Sequence, residues 1–208
     1  MTSKGHSPVD LQSAEPATSR RRLLGALGAA GVASAAALSV TRAASAAPSS
    51  PTEEDKVLLG LAMQLELTAR DLYEEAAEAG LSDDAAALAA IFAENHAGYA
   101  DKIAGIAGLS ADRRNERVYE ELEPAFAGSD DAAFVEAAMS LENTASATQA
   151  DLVGQYESVD ARSLTASICV VEARMATVLA DFGDLASNLD DLFAPEADVL
   201  VLTGGEES

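Results

Sequence analysis

The chain has 208 residues, of which 49% are hydrophobic, and its formal net charge at pH 7 is −22. A surface this negative repels nucleic acid and anionic lipid, so neither is expected as a main partner. The single cysteine, Cys169, excludes an internal disulfide. It lies in an apolar run, where a cysteine is expected to act as a small buried hydrophobe.

The first 46 residues have the features of an export signal. Arg20 and Arg21 stand before a stretch of Gly, Ala, Val and Leu. Paired arginines in this position resemble a twin-arginine signal. That resemblance implies a protein that folds before export, often because it takes up a metal or cofactor first. The expected location is the periplasm, the cell envelope or the medium.

The apolar part of this segment, residues 23–40, is long enough to span a bilayer. Its glycines and serines dilute the hydrophobicity, which favours a cleaved signal over a permanent anchor. Ala44 and Ala46 fit the small-residue pattern of a cleavage site. We therefore expect the mature chain to begin after Ala46 and to keep no stable membrane span.

Beyond residue 46, apolar residues recur at helical spacing and predict long helices. The first is expected to begin at Ser50, which forms a capping box with Glu53, and to end at Gly80. The second is expected to run from Ser82 to Gly108. Its apolar stripe consists of Leu88, Phe92, His96, Tyr99, Ile103 and Ile106.

Two more helices are predicted in the second half of the chain. The third begins near Ser129 or Asp130, and the fourth follows a short turn at residues 158–160. The stripe of the third consists of Phe134, Ala138, Leu141, Ala145, Thr148 and Leu152. The stripe of the fourth consists of Leu164, Ile168, Val171, Met175, Val178, Phe182 and Leu185.

The lengths of the connections separate the candidate folds. The first and third turns are tight, whereas residues 109–128 form a long middle connection. Two helical hairpins joined by one long crossover is the ferritin-like arrangement of a four-helix bundle. The sequence thus predicts an all-α, ferritin-like four-helix bundle over residues 47–189, followed by an irregular tail over residues 190–208.

Four ionisable residues interrupt the apolar faces, one on each predicted helix: Glu66, His96, Glu142 and Glu172. Carboxylates are rarely buried without a partner, because their desolvation is costly. If three of them meet at one level of the core, a metal ion is the economical explanation. We expect the four to cluster, with Tyr99 and Met175 beside them.

Four short phrases in these helices resemble bacterial ferritin-like proteins, in the same order. The first is Glu66-x-x-Ala69-x-x-x-Tyr73, and the others span residues 92–96, 141–145 and 171–176. The resemblance covers most of residues 52–187 and implies metal ligands at Glu66, His96, Glu142 and Glu172.

The chain departs from the family pattern at two ligand positions. A di-iron site of this class takes a Glu from each of two helices and a Glu-x-x-His pair from each of the other two. Here Ala93 stands in place of one pair's Glu, and Met175 stands in place of the other pair's His. Alanine cannot bind a metal, and the thioether of methionine is a soft ligand. Di-iron oxidase chemistry is therefore not expected.

Two functions remain open from the sequence. The first, which we favour, is an exported non-catalytic binding or structural module whose degenerate site is a hydrogen-bonded polar core. The second is a metal-binding protein or oxidoreductase with one altered site holding a single Fe, Mn or Zn ion. Assembly into a homo-oligomer also remains open.

Overall fold

The computed structural model describes residues 47–185 and 197–200. Within them lie five helices and no strand: α1 (Glu53–Glu78), α2 (Asp83–Ala107), α3 (Glu116–Phe126), α4 (Asp131–Gln155) and α5 (Val159–Phe182). The predicted signal segment and most of the predicted tail lie outside the described residues. Of the tail, Leu200 donates its backbone N–H to the Thr148 hydroxyl on α4.

The four long helices form the expected two hairpins. The first consists of α1 and α2, the second of α4 and α5, and in each pair the helices pack along their length. The hairpins meet where α1 touches α4 and α2 touches α5. The all-α, ferritin-like bundle that the sequence predicts is therefore confirmed.

The crossover between the hairpins contains a helix that the sequence reading did not predict. The part of the crossover that precedes this helix runs along α1. Leu109 lies beside Gly60, and the Asn115 N–H donates to the Thr68 hydroxyl. Helix α3 then packs against both α1 and α4. Asn115 caps α3. Pro124 lies near the C-terminal end of this helix, where it removes only the amide donor that would face the carbonyl of Glu120. The segment runs along the bundle as expected.

Most helix ends agree with the prediction. Ser82, Asp130 and Ser158 are N-caps, and Gly108 closes α2 with a left-handed backbone at φ +68°. The predicted cap at Ser50 is wrong. The observed capping box joins Thr52 and Asp55, two residues later, because Asp55 also binds backbone amides of the second hairpin.

The N-terminal arm, residues 47–50, also contacts the second hairpin. The carbonyl oxygens of Pro48 and Ser49 accept the N–H groups of Val159 and Asp160, at 2.9 and 3.0 Å. These amides belong to the first turn of α5 and have no partner within that helix. The arm and the capping box together seal the end of the bundle where α1 and α5 begin.

The buried face of α5 differs from the predicted stripe. Val178 and Phe182 are 47% and 43% exposed, whereas the buried face contains Ala161, Thr165, Ile168, Glu172, Met175, Ala176 and Leu179. Cys169 beside it is half-buried, not buried as expected, and hydrogen-bonds to Ser146 of α4. By length and composition α5 could also cross a membrane, a property it shares with core helices of bundles.

Candidate metal centre

The structure brings the four predicted residues into the centre of the bundle. Glu66 comes from α1, His96 from α2, Glu142 from α4 and Glu172 from α5. All four side chains are buried, and none is more than 1% exposed. Three carboxyl groups and one imidazole therefore share a core from which water is excluded. Their burial requires compensation by hydrogen bonds, protons or a cation.

His96 joins two of these carboxylates. Its Nδ1 lies 2.7 Å from Glu66 Oε2, and its Nε2 lies 3.1 Å from Glu142 Oε1. Tyr73 stacks on the imidazole with a centroid separation of 5.6 Å and donates its hydroxyl to Glu142 Oε1 at 2.5 Å. The imidazole is thus fixed by contacts at both nitrogens and on one face.

Electrostatics in this cluster favours a charged His96 when no metal is bound. Burial opposes the charge, but the carboxylates of Glu142 and Glu66 outweigh it and raise the pKa of His96 to about 10. At neutral pH the imidazolium then offsets the two carboxylates that it touches. The third carboxyl group, that of Glu172, is left without this compensation.

Glu172 is the unsatisfied member of the cluster. It is fully buried, and neither of its oxygens accepts a hydrogen bond from the described residues. Burial, followed by repulsion from Glu66 and Glu142 and by a hydrogen bond that protonated Glu172 makes to Glu66, raises the pKa of Glu172 well above its usual range. A buried carboxyl group in this state is either protonated or bound to a cation.

Glu66, His96 and Glu172 have the spacing of metal ligands. Each offers a donor atom within 4.8 Å of the other two. Two ligands that bind one ion at about 2.1 Å lie at most about 4.2 Å apart, so small side-chain movements suffice to close the site. The donor set of two carboxylates and one imidazole fits one ion.

Glu142 occupies a different position from the other three. It lies at the Nε2 side of His96, and its second oxygen, Oε2, has no hydrogen-bond partner in the described part of the chain. A metal-binding histidine usually donates its second ring N–H to a carboxylate or carbonyl, which fixes the ring. Glu142 is suitably placed for that role.

The two altered ligand positions belong to apolar packing. Ala93 and Met175 are both buried and share one hydrophobic cluster with Phe92. Tyr99 lies beside His96, with the rings at right angles and 6.1 Å between centroids. Burial and the nearby carboxylates raise the pKa of Tyr99, so its phenol keeps its proton. Glu94, next to Ala93 on α2, is exposed.

Sequence reasoning missed one residue of the cluster. Gln149 of α4 is fully buried and donates its amide to Glu66 Oε1 at 2.6 Å. It stands seven residues after Glu142, on the same helical face, between Thr148 and Leu152. That spacing was a usable signal, because a polar side chain two turns from a candidate ligand faces the same core.

Comparison with known families agrees with this arrangement. A model of the ferritin-like domain matches residues 54–183, more than half of the chain. The chain belongs to the ferritin-like domain family. The matched region of this ferritin-like protein runs from the first turn of α1 to the end of α5 and includes every residue of the central cluster. Searches of curated proteins and of solved structures gave no significant match.

Proposed function

We propose that this ferritin-like protein binds a single divalent metal ion through Glu66, His96 and Glu172. The observation that carries the proposal is Glu172, a fully buried carboxyl group whose oxygens accept no hydrogen bond from the described residues. A bound cation would replace the missing donors. Glu142, the fourth predicted ligand, would hold His96 through Oε1 and keep Oε2 as a further oxygen donor.

The donor types narrow the choice of ion. Carboxylate oxygens suit Mn²⁺ and Fe²⁺, and an imidazole nitrogen suits Fe²⁺ and Zn²⁺. We therefore expect Mn²⁺ or Fe²⁺ to bind in preference to the softer Cu⁺. Loss of two family ligand positions, at Ala93 and Met175, argues against a second ion and against the two-iron chemistry that depends on one.

A non-catalytic polar core is the second candidate function, and one observation favours it. Gln149, Glu66, His96, Glu142 and Tyr73 form a continuous chain of hydrogen bonds without any ion. In this alternative, Glu172 keeps a proton permanently and the cluster only holds the two hairpins in register. A metal-binding measurement separates the two functions.

The test is calorimetric titration of the metal-free, full-length chain with Mn²⁺, Zn²⁺ and, without oxygen, Fe²⁺. We expect one ion per chain, and we expect Glu172→Gln to weaken binding at least about 100-fold, because a charged ligand is lost. Glu94→Gln is the matched control, since Glu94 is exposed on α2. No binding to the unmodified chain would leave the polar core as the function. Two ions per chain would overturn the single-site proposal.

Export is a separate part of the proposal. We infer it from Arg20 and Arg21 and from the cleavage pattern that ends at Ala46. If the twin-arginine machinery reads this signal, changing both arginines to lysine will keep the precursor in the cytoplasm. Cell fractionation of the two forms measures this. Unchanged export of the double variant would remove the assignment.

A further inference from the structure

Gln149 makes a contact that the family's ligand pattern does not contain. Its side chain is fully buried at the level of Glu66, and its Nε2 lies 2.6 Å from Glu66 Oε1. The other oxygen of Glu66, Oε2, faces His96 Nδ1 at 2.7 Å. The carboxylate of Glu66 is therefore shared between an amide donor on one side and the candidate metal centre on the other.

We propose that Gln149 is a positioning residue that fixes Glu66 as a one-oxygen ligand of the metal centre. This inference rests on the proposed function. By occupying Oε1, the amide leaves Oε2 as the oxygen that can bind an ion, in place of its contact with His96 Nδ1. Hydrogen bonds of this kind set the orientation of a ligand and are part of what determines metal affinity.

The chemistry of the contact supports an orienting role over simple space filling. A carboxylate oxygen only accepts hydrogen bonds, so the amide nitrogen of Gln149 must face Glu66. The amide oxygen of Gln149 then has no partner among the described residues. An apolar residue of the same size would fill the space and remove this unpaired oxygen, but it would leave Glu66 Oε1 without its donor. The contribution of the amide therefore lies in its contact with Glu66.

The contact also limits how many ions Glu66 can serve. In the common two-oxygen bridge, a carboxylate gives one oxygen to each of two metal ions. With Oε1 held by Gln149, Glu66 cannot bridge a pair of ions in this way. Gln149 thus acts in the same direction as Ala93 and Met175, which remove ligands for a second ion.

The experiment compares the full-length chain with Gln149→Met, which keeps the side-chain length and lacks the donor. Co²⁺ serves as the probe, since its visible absorption reports coordination number. We expect Co²⁺ affinity to fall about 10- to 100-fold. We also expect a weaker absorption band, because a released Glu66 can bind through both oxygens and raise the coordination number. Gln155→Met is the matched control, since Gln155 is exposed on the same helix.

The outcomes separate this inference from the proposed function. If the unmodified chain binds no metal, the proposed function fails and this inference fails with it. If the unmodified chain binds Co²⁺ and Gln149→Met binds it with the same affinity and the same spectrum, the positioning role alone is overturned. A loss of affinity with an unchanged spectrum would also overturn it, because Glu66 would then have kept its mode of binding. Circular dichroism of the metal-free variant confirms that the bundle is folded.

Discussion

Asp55 and Glu172 are two buried carboxyl groups of one bundle with opposite surroundings. Asp55 lies at the end of the bundle and accepts the backbone N–H groups of Thr52, Glu157 and Ser158 at 3.0, 2.7 and 3.0 Å. Glu172 lies at the centre and accepts no hydrogen bond within the described residues. Both are at most 1% exposed, so burial alone does not distinguish them.

The difference appears in their proton affinity. Burial raises the pKa of Asp55, but the three backbone donors more than reverse this and leave it below its usual value. The pKa of Glu172 is well above its usual range, first through burial and then through the neighbouring carboxylates. The hydrogen bonds to Asp55 therefore stabilise the fold, whereas Glu172, which accepts none from the described residues, is available to bind a cation.

The largest effect on stability is expected from removing Asp55, which accepts three backbone hydrogen bonds. Asp55→Ala leaves three N–H groups without their acceptor, one in a buried and two in partly buried contacts, and should lower the free energy of unfolding by about 3 kcal/mol. Chemical denaturation measures the loss. Glu54→Ala, at the exposed neighbouring position, should change stability by less than about 0.5 kcal/mol. Equal losses in the two variants would contradict the role given to Asp55.

Replacing Glu172 should change the stability in the opposite direction. Glu172→Leu replaces an uncompensated carboxyl group with an apolar one of similar size, so the metal-free protein should gain about 1–2 kcal/mol of stability. The same variant should lose any stabilisation by added Mn²⁺. Glu136→Leu, on the exposed face of α4, controls for the change in composition. Destabilisation of the metal-free Glu172→Leu protein would show that Glu172 already has a favourable partner.

Removing one of the donors to Glu142 Oε1 in the central cluster should have an intermediate effect on stability. Tyr73→Phe deletes the hydroxyl that binds Glu142 but keeps the ring that stacks on His96. We expect a loss of about 1 kcal/mol in thermal or chemical denaturation. Tyr119→Phe is the control, since its bond to Glu75 is long, at 3.4 Å, and exposed. A loss in Tyr119→Phe as large as that in Tyr73→Phe would contradict the argument.

The smallest effect is the acid dependence that Asp55 contributes. Because its pKa is lower in the folded protein than in the unfolded chain, its contribution is complete above the unfolded pKa of about 3.9. That contribution is lost as the pH falls through the folded pKa. Asp55→Asn cannot titrate, so its stability should fall less steeply than that of the unmodified chain as the pH falls below about 4. Parallel stability curves would contradict this expectation.

Local signals were sufficient to predict most of the fold. The caps at Ser82, Asp130 and Ser158 and the left-handed glycine at Gly108 depend on residues within one helical turn. The choice between Ser50 and Thr52 was not local. Both begin a capping-box pattern, and Asp55 decides between them through amides that lie 102 and 103 residues away.

Two further differences between the prediction and the structure also depend on contacts between helices that are distant in sequence. Helix α3 was not predicted because Pro124 is a helix-breaking signal. Its position depends on the contact between Asn115 and Thr68 of α1. On α5, apolar residues surround the helix, so the spacing alone did not fix the buried face. On the face that the bundle buries, Glu172 and Leu179 are fully enclosed, whereas Val178 and Phe182 lie on the exposed side.

The candidate site could be predicted in part. Glu66, His96, Glu142 and Glu172 were recognised as ionisable residues on apolar stripes, and the structure places all four in one cluster. Whether they hold a metal stays a prediction. Gln149 was missed because it is uncharged and lies outside the phrases that resemble the family. Its importance follows only from its distance to Glu66.

The seal at the end of the bundle has a consequence for biosynthesis. Asp55 and the carbonyls of Pro48 and Ser49 bind amides at the start of α5, and Asp55 precedes Glu157 by 102 residues. At typical synthesis rates a ribosome needs roughly 5–20 s to make that interval. During this time the first turn of α1 and the arm before it have no partners from the second hairpin. The beginning of the fold is therefore among the last parts to close, and protease resistance near Pro48 would mark a finished chain.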